Sequence, residues 1–265
     1  KIYHDTMAIV SSLKITGPFN IQFLVKDNSV QVIECNLRAS RSFPFVSKAT
    51  GKNFIDEAVR VMLARPVRKR SSFIKPRATF VKSPQFSYHR LKGADPVGYV
   101  EMASTGEVAC FARSGHEALL LSMLAAGFRL PKRHVLFTLG KTYNKAMLVE
   151  KAKKLQEMGF QIYATEHTAM YFAAHGITCR KVYKIHRKKS PNVRELLEKN
   201  AVDLIINIPA NYLAREIHDG YIIRRMAVDY NIPLISNLEI ARAFLDAFLE
   251  IKKEERLPVR AYNEI

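Results

Sequence analysis

Val135-Leu136-Phe137-Thr138-Leu139 opens a stretch that continues through an amphipathic segment to Met158, then Gln161-Ile162-Tyr163, then Ala164-Thr165-Glu166-His167-Thr168-Ala169, and closes at Ile177. Short apolar runs flanking a longer amphipathic one read as strand, helix, strand, with hydroxyls at the mouth of a second helix. In open parallel sheets, ligands bind beyond the carboxyl ends of the strands. A helix N-terminus placed there turns free N–H groups toward an anion. The stretch therefore predicts a small-anion site.

The alternation continues downstream. Apolar strands are predicted at Val135–Leu139, Gln161–Tyr163, Arg180–Tyr183, Asp203–Ile208 and Ile232–Ser236. Helices are predicted at Lys145–Met158, Ala169–His175, Val193–Lys199, Tyr221–Asp229 and Leu238–Ile251. Such an alternation argues for an α/β fold with a five-stranded parallel sheet covered on both faces. Each strand exit carries a polar candidate: Thr138 and Lys145, Thr165 and Thr168, Lys184, and Asn207. Hydroxyls, helix N–H groups and ammonium ions can share one phosphate or carboxylate. Singly, each has an ordinary role, as an N-cap, a solvated cation or a turn former. Their convergence at one sheet edge is what an anion pocket needs.

Upstream, Lys1–Lys14 reads as a helix, and Phe19–Val25 and Val30–Asn36 as a hairpin joined at Lys26-Asp27-Asn28-Ser29. The hairpin brings Gln22, Glu34 and Asn36 together, and Glu34 and Asn36, two apart, share a face. A carboxylate and amide oxygens beside Arg38 and Arg41 suit Mg²⁺ and nucleotide phosphates. Spacing alone favours exposed polar residues on a half-buried hairpin, the default for alternating strands. A helix is predicted from Asn53 to Ala64, stopped before Pro66, and another from Gly115 to Ala126.

Composition bounds the class. The 265 residues suffice for one large or two ordinary domains, and 48% hydrophobic with 25% charged residues is ordinary for a globular protein. No apolar run reaches membrane-spanning length and no signal peptide opens the chain, so no membrane is expected. Cys35, Cys110 and Cys179 lack the spacing of a zinc site or disulfide framework, which points to the cytoplasm or the mitochondrial matrix. The charge of +18 is denser at Arg65–Lys82 and Arg180–Lys189. No nucleic-acid motif accompanies it, so phosphorylated small molecules are expected as partners rather than nucleic acid. Lys1 falls inside an apparent structured segment, as in a piece of a longer polypeptide.

Ile33-Glu34-Cys35-Asn36-Leu37-Arg38-Ala39-Ser40-Arg41-Ser42-Phe43-Pro44-Phe45-Val46-Ser47-Lys48-Ala49-Thr50-Gly51 resembles the signature of the second synthetase half of carbamoyl-phosphate synthetase large chains, an ATP-grasp fold. Leu37 stands where the family usually has Pro, a form associated with the animal-type enzymes. Glu101-Met102-Ala103-Ser104-Thr105-Gly106-Glu107-Val108 resembles the end of the same domain, and its glutamates are read as exposed turn residues in preference to a regulatory or inter-domain contact. The later alternation is similar to the methylglyoxal-synthase-like regulatory domain that ends those chains.

The resemblance implies a partial ATP-grasp (α+β) domain over 1–126, a connector at 127–134, a regulatory domain over 135–253 and a tail at 254–265. It implies Gln22, Glu34 and Asn36 as ligands of Mg²⁺ or Mn²⁺ near ATP, with Arg38 and Arg41 catalytic in phosphorylating carbamate. It implies Thr138, Lys145, Thr165, Thr168, Lys184 and Asn207 as effector-binding. Expected partners are the rest of the large chain, a glutamine amidotransferase chain or domain, and a small-molecule effector. The early ATP-grasp elements do not precede Lys1, so the segment alone is expected to be inactive. Nothing after the last helix resembles a dihydroorotase or transcarbamoylase.

Two departures bear on the effector. His167 stands where the family has Gly, so the loop is expected to tilt or to offer an imidazole. Lys184 replaces an aromatic, and only Asn207 and a displaced Asn211 remain of the asparagines in the N-acetylglutamate-regulated enzymes, which favours a nucleotide phosphate over N-acetylglutamate. Two alternatives stay open: a free-standing effector-binding module, and a phosphate-eliminating lyase using His167, His175 or His186. The lyase is disfavoured because no Asp is seen beside the threonine loop.

Overall fold

The computed structural model of the chain describes residues 1–67, 74, 76, 78–88, 90–96, 104–209, 214–251 and 257, with the backbone alone at 214–218. Asn211, Glu101–Ala103, much of the basic run before Lys82 and all of the predicted tail except Leu257 lie outside the described residues. Two compact units form, one of Lys1–Ala78 and one from Thr79 onward. The β-ribbon and helix that precede the predicted 127–134 connector pack with the second.

In the first unit, α1 (Ile2–Ser12) precedes the antiparallel hairpin β1 (Asn20–Lys26) and β2 (Ser29–Asn36), followed by α2 (Phe43–Thr50) and α3 (Phe54–Met62). The hairpin closes through Asp27 and Asn28, both at positive φ (47° and 62°), the left-handed pair that a two-residue turn between twisted strands demands. Asn53 caps α3 by accepting from the Asp56 amide at 3.1 Å. Little is buried here. Among its described residues Ala58 is the one fully buried apolar side chain, while Leu24, Val25, Val32, Ile33 and Leu37 along the hairpin stay exposed, Ile33 by 62%.

The second unit opens with an antiparallel ribbon, β3 (Thr79–Gln85) and β4 (Gly106–Ala112), which the Pro-containing basic sequence did not predict. Lys82 Nζ meets Glu107 Oε2 across it at 3.0 Å, so Glu107 belongs to a strand and not to a turn. Helix α4 (Gly115–Ala125) packs on the ribbon, tied by a 2.7 Å bond between Ser83 Oγ and Ser122 Oγ.

Then comes the predicted alternation: β5 (His134–Leu139), α5 (Thr142–Ala146), α6 (Val149–Glu157), β6 (Gln161–Thr165), α7 (Glu166–Ala174), β7 (Cys179–Val182), α8 (Val193–Glu198), β8 (Leu204–Ile208), α9 (Ala214–Asp229), β9 (Leu234–Ile235) and α10 (Leu238–Ile251). All five strands are parallel, in the order β7-β6-β5-β8-β9. Among the described residues no helix is long and apolar enough to cross a membrane.

The strands are nearly all apolar because both faces are covered. Val135, Phe137, Leu139, Ile162, Leu204 and Ile206 meet Leu155 of α6, Phe172 of α7 and Phe244, Leu245 and Phe248 of α10. Leu136, Tyr163, Val182 and Ile205 point the other way, toward Val193 and Leu197 of α8 and Ile223 and Ala227 of α9. Phe137 and Phe172, both fully buried, meet edge to face at 5.4 Å. Truncating such a phenylalanine costs about 3 to 5 kcal/mol. At the amino edge, Asp203 Oδ2 accepts from the amides of Arg133 (2.7 Å) and His134 (2.8 Å), aligning the starts of β5 and β8.

The single helix predicted over Lys145–Met158 is two, broken at Met147-Leu148. Lys145 thereby sits in the last turn of a short helix next to the sheet edge rather than opening a long one. Helix α9 begins at Ala214, seven residues before the predicted Tyr221, and β9 keeps only Leu234 and Ile235.

Candidate functional site

The chain leaves β5 toward β6 on one side and β8 toward β9 on the other, so a crevice opens between the carboxyl ends of β5 and β8, the position where open α/β sheets bind ligands. Thr138 and Asn207 are register partners there. Both follow the side-chain alternation to the α9 face and both are buried.

Two adjoining cavities occupy this edge. The larger, of about 280 Å³, is lined by Lys145, Thr165, Glu166, His167, Lys184, His186, Arg187 and Asp219 together with Leu139 and Gly140. The smaller, of about 40 Å³, is lined by Thr138, Asn207, Pro209, Gly220 and Ile223, and shares Leu139, Gly140, Lys184 and Asp219 with its neighbour. The larger volume is near the low end for small-molecule sites.

The fold thus brings five of the six predicted effector residues, Thr138, Lys145, Thr165, Lys184 and Asn207, to one place. The sixth is differently employed. Thr168 is 0% exposed and lines neither cavity. Its hydroxyl accepts from the Leu139 amide at 3.1 Å and donates to the Leu139 carbonyl at 3.2 Å, which fastens the first turn of α7 to the end of β5. Thr165 Oγ1, at the N-cap of α7, stands 3.5 Å from it on the cavity side.

His167 occupies the first turn of α7, and no described residue from Thr165 to Thr168 has positive φ. A glycine is therefore not required for this path, and the imidazole simply joins the lining.

Charge at the edge is mixed but organised. Lys145, 6% exposed, donates to the Gly140 carbonyl at 2.8 Å, holding its ammonium over the β5 exit. Arg187 faces Glu166 at 3.5 Å, and His186 Nδ1 pairs with Asp219 Oδ2. Both acids of the lining therefore carry a basic partner, while the two lysines add positive charge. The carboxylate absent from the sequence reading is thus present: Asp219, from α9, reaches the same cavities as the threonine loop. Its position on a helix beginning seven residues early, far along the chain from Thr165, left no local signal. His175 instead stacks on Tyr171 and bonds its carbonyl at 2.8 Å, outside the cavities.

In the first unit the register sets Gln22 directly opposite Glu34, with an irregularity between Gln22 and Phe23, and Asn36 follows on the same face. Asn36 Nδ2 donates to Glu34 Oε1 at 2.9 Å, and Arg38 Nη2 reaches Asn36 Oδ1 at 3.5 Å. Arg41 is exposed. One carboxylate with two amide oxygens is too little charge for an all-protein cation cage, but it suits Mg²⁺, which keeps water and borrows phosphate oxygens. Among the described residues no group of three or more His, Cys, Asp or Glu side chains could hold a metal.

Comparison with known proteins matches both parts. Residues 147–236 match the MGS-like domain, and residues 1–70 match the carbamoyl-phosphate synthase L chain ATP binding domain. Multifunctional protein ura1 of Schizosaccharomyces pombe is 45% identical over 255 residues, covering 93% of this chain and 11% of its own length. Multifunctional protein URA2 of Saccharomyces cerevisiae is 44% identical over 257 residues, covering 93% of the chain and 12% of its own length. The mitochondrial ammonia-type carbamoyl-phosphate synthase of Homo sapiens is 39% identical over 274 residues, covering 100% and 18%. The chain thus spans less than a fifth of these relatives. The methylglyoxal synthase of Elizabethkingia anophelis aligns at a TM-score of 0.35 and 18% identity over 46% of this chain and 83% of its own.

Proposed function

We propose that this chain, which matches the C-terminal part of carbamoyl-phosphate synthase large chains, supplies that enzyme with its effector-binding domain and with one wall of its second nucleotide site. The observation carrying the reading is the convergence of Thr138, Lys145, Thr165, Lys184 and Asn207 at the crevice between β5 and β8. Two lysines and a hydroxyl around about 280 Å³, with a second hydroxyl and an amide in the adjoining smaller cavity, suit a phosphate bearing a small organic group. The effector class is a nucleotide phosphate rather than N-acetylglutamate. In the first unit, Gln22, Glu34 and Asn36 would hold Mg²⁺ against ATP phosphates, with Arg38 and Arg41 meeting phosphate, in ATP-dependent phosphorylation of carbamate. The metal would supply neutralisation of phosphate charge. The exposed apolar residues of the hairpin support a unit completed by other parts of a longer synthetase, with a glutamine amidotransferase chain or domain as a further expected partner.

Calorimetric titration with a uridine nucleotide, inosine monophosphate and N-acetylglutamate separates the effector classes. Binding of a nucleotide and not of N-acetylglutamate is expected, and binding of none overturns the reading. The His186–Asp219 pair in the cavity favours one second reading, a phosphate-eliminating lyase. Methylglyoxal formed from dihydroxyacetone phosphate, and lost in His186→Asn, would put that reading first.

A further inference from the structure

Three neighbouring residues of α9 grip a loop far away in sequence. Tyr221 Oη donates to the Gly93 carbonyl at 2.8 Å. Arg225 Nη1 donates to the carbonyls of Tyr88, Leu91 and Ala94 at 3.2, 3.1 and 3.2 Å. Arg224 forks onto Asp95, Nε to Oδ1 at 2.7 Å and Nη2 to Oδ2 at 2.6 Å. The gripped segment belongs to the connection between β3 and β4, outside the five-stranded sheet.

Arg224 differs from the other two in facing both ways. It is 4% exposed, and its remaining nitrogen, Nη1, donates to Asn207 Oδ1 at 3.1 Å. Asn207 lines the smaller cavity, as does Gly220. A Cβ on Gly220 would come within 2.7 Å of Arg224 Nη1, so the guanidinium lies across the bare backbone of a residue that walls the cavity. With Oδ1 committed to Arg224, what Asn207 has left for a ligand is its Nδ2 donor, the polarity an anion requires.

We propose that Arg224 is a relay that couples occupancy of the cavity at Asn207 to the order of the loop at 90–96. The inference rests on the effector reading above and names how that site speaks to the rest of the second unit. An anion accepting from Asn207 Nδ2 fixes and polarises the amide, which strengthens the acceptor at Oδ1 for Arg224. The guanidinium, locked at Nη1, then holds its fork on Asp95 at lower conformational cost. Coupling between sites is reciprocal, so loosening Asp95 weakens anion binding by the factor through which the anion tightens the loop. Arg225 grips the same loop but has no bond to Asn207, which makes it a control.

The test is hydrogen–deuterium exchange of the amides from Leu91 to Asp95 in the whole chain, with and without uridine 5′-monophosphate, beside calorimetry on the same samples. In the native protein the nucleotide is expected to slow exchange by about fivefold or more, the lower range of ordinary coupling. Asp95→Asn, which keeps the size of the side chain, should exchange faster without nucleotide, bind it more weakly, and lose the nucleotide-dependent slowing. Asp95→Glu should retain the slowing. Arg225→Gln should exchange faster in both states and keep the difference between them, which a merely structural clasp at Asp95 would also do. The relay is overturned if the nucleotide binds the native protein without slowing the loop, or if Asp95→Asn still responds; the effector reading then stands. Absence of nucleotide binding to the native protein overturns both.

Discussion

Replacing Thr168 by Val separates a structural threonine from a ligand-binding one. The side chain keeps its shape and loses its hydroxyl, which is 0% exposed and serves the amide and the carbonyl of Leu139 together, at 3.1 and 3.2 Å. Each buried backbone group stripped of a partner costs about 1 to 3 kcal/mol, and the added methyl returns a fraction of that. The expected loss is about 2 to 4 kcal/mol, a fall of about 1 to 2 M in the urea midpoint of a domain this size. Thr168→Ser keeps the hydroxyl and should lose only about 1 kcal/mol for the methyl group. Thr165, one turn earlier and lining the cavity, should behave oppositely: Thr165→Val lowers nucleotide affinity with a smaller change in the urea midpoint. Urea unfolding followed by circular dichroism, with calorimetry of uridine monophosphate, reads both quantities. A Thr168→Val protein as stable as the parent but unable to bind the nucleotide would refute the assignment and return Thr168 to the ligand.

Lys184→Ala should weaken uridine monophosphate by about ten- to a hundredfold, the worth of one charge-assisted contact to phosphate, and calorimetry at two salt concentrations checks it. Burial acts to raise the Asp203 carboxyl, yet the amides of Arg133 and His134 outweigh it and hold the group below its usual value of 3.8. Its contribution is therefore present above that pH and lost as pH falls through the depressed value. Asp203→Asn should cost about 1 to 2 kcal/mol at pH 7 and progressively less in acid, by urea unfolding across pH. Burial pushes the Cys179 thiol up to about 11 from 9.0. At pH 8 its thiolate should be about a hundredfold scarcer in the folded chain than in urea, and the rate of its alkylation by iodoacetamide, mapped by mass spectrometry, should fall by at least that factor. Glu34→Ala, at an exposed position, should leave the urea midpoint unchanged while abolishing carbamate-dependent ATP turnover in a synthetase containing this segment. Unimpaired turnover there would remove Glu34 from the nucleotide site.

What was legible in the sequence was what has a period. β5, β6 and β8 announced themselves because they are buried on both faces and hold apolar residues until they reach the edge, whereas the edge strand β7 carries exposed Arg180 and Lys181. Thr138, Thr165 and Asn207 were visible as the points where that rule stops. Thr168 was visible for the same reason, and its hydroxyl meets the backbone of Leu139, since a hydroxyl at a helix mouth serves a backbone as well as a ligand and only the path of β5 shows the former. Lys145 was placed correctly at the β5 exit, although the helix break at Met147-Leu148 that sets it there carried no Pro or Gly.

The invisible part is the set of pairs joined across long separations. Asp219 meets His186 from 33 residues away, and Arg224 meets Asp95 from 129. On a helical wheel both look like polar residues of a solvated face, and Asp95 looks like one more turn former between Gly93 and Pro96. Yet a buried guanidinium is costly unless its donors are satisfied, so the near-complete burial of Arg224 implies partners as firmly as an apolar stripe implies a core. Its two partners, Asp95 and Asn207, stand in different elements, and one of them lines a cavity. A side chain in that position cannot be indifferent to what the cavity holds: an anion accepting from Asn207 Nδ2 polarises the amide, strengthens Oδ1 as the acceptor for Arg224, and so steadies the fork on Asp95. The coupling between cavity and loop that this predicts is positive, and the exchange experiment on Leu91 to Asp95 measures its size.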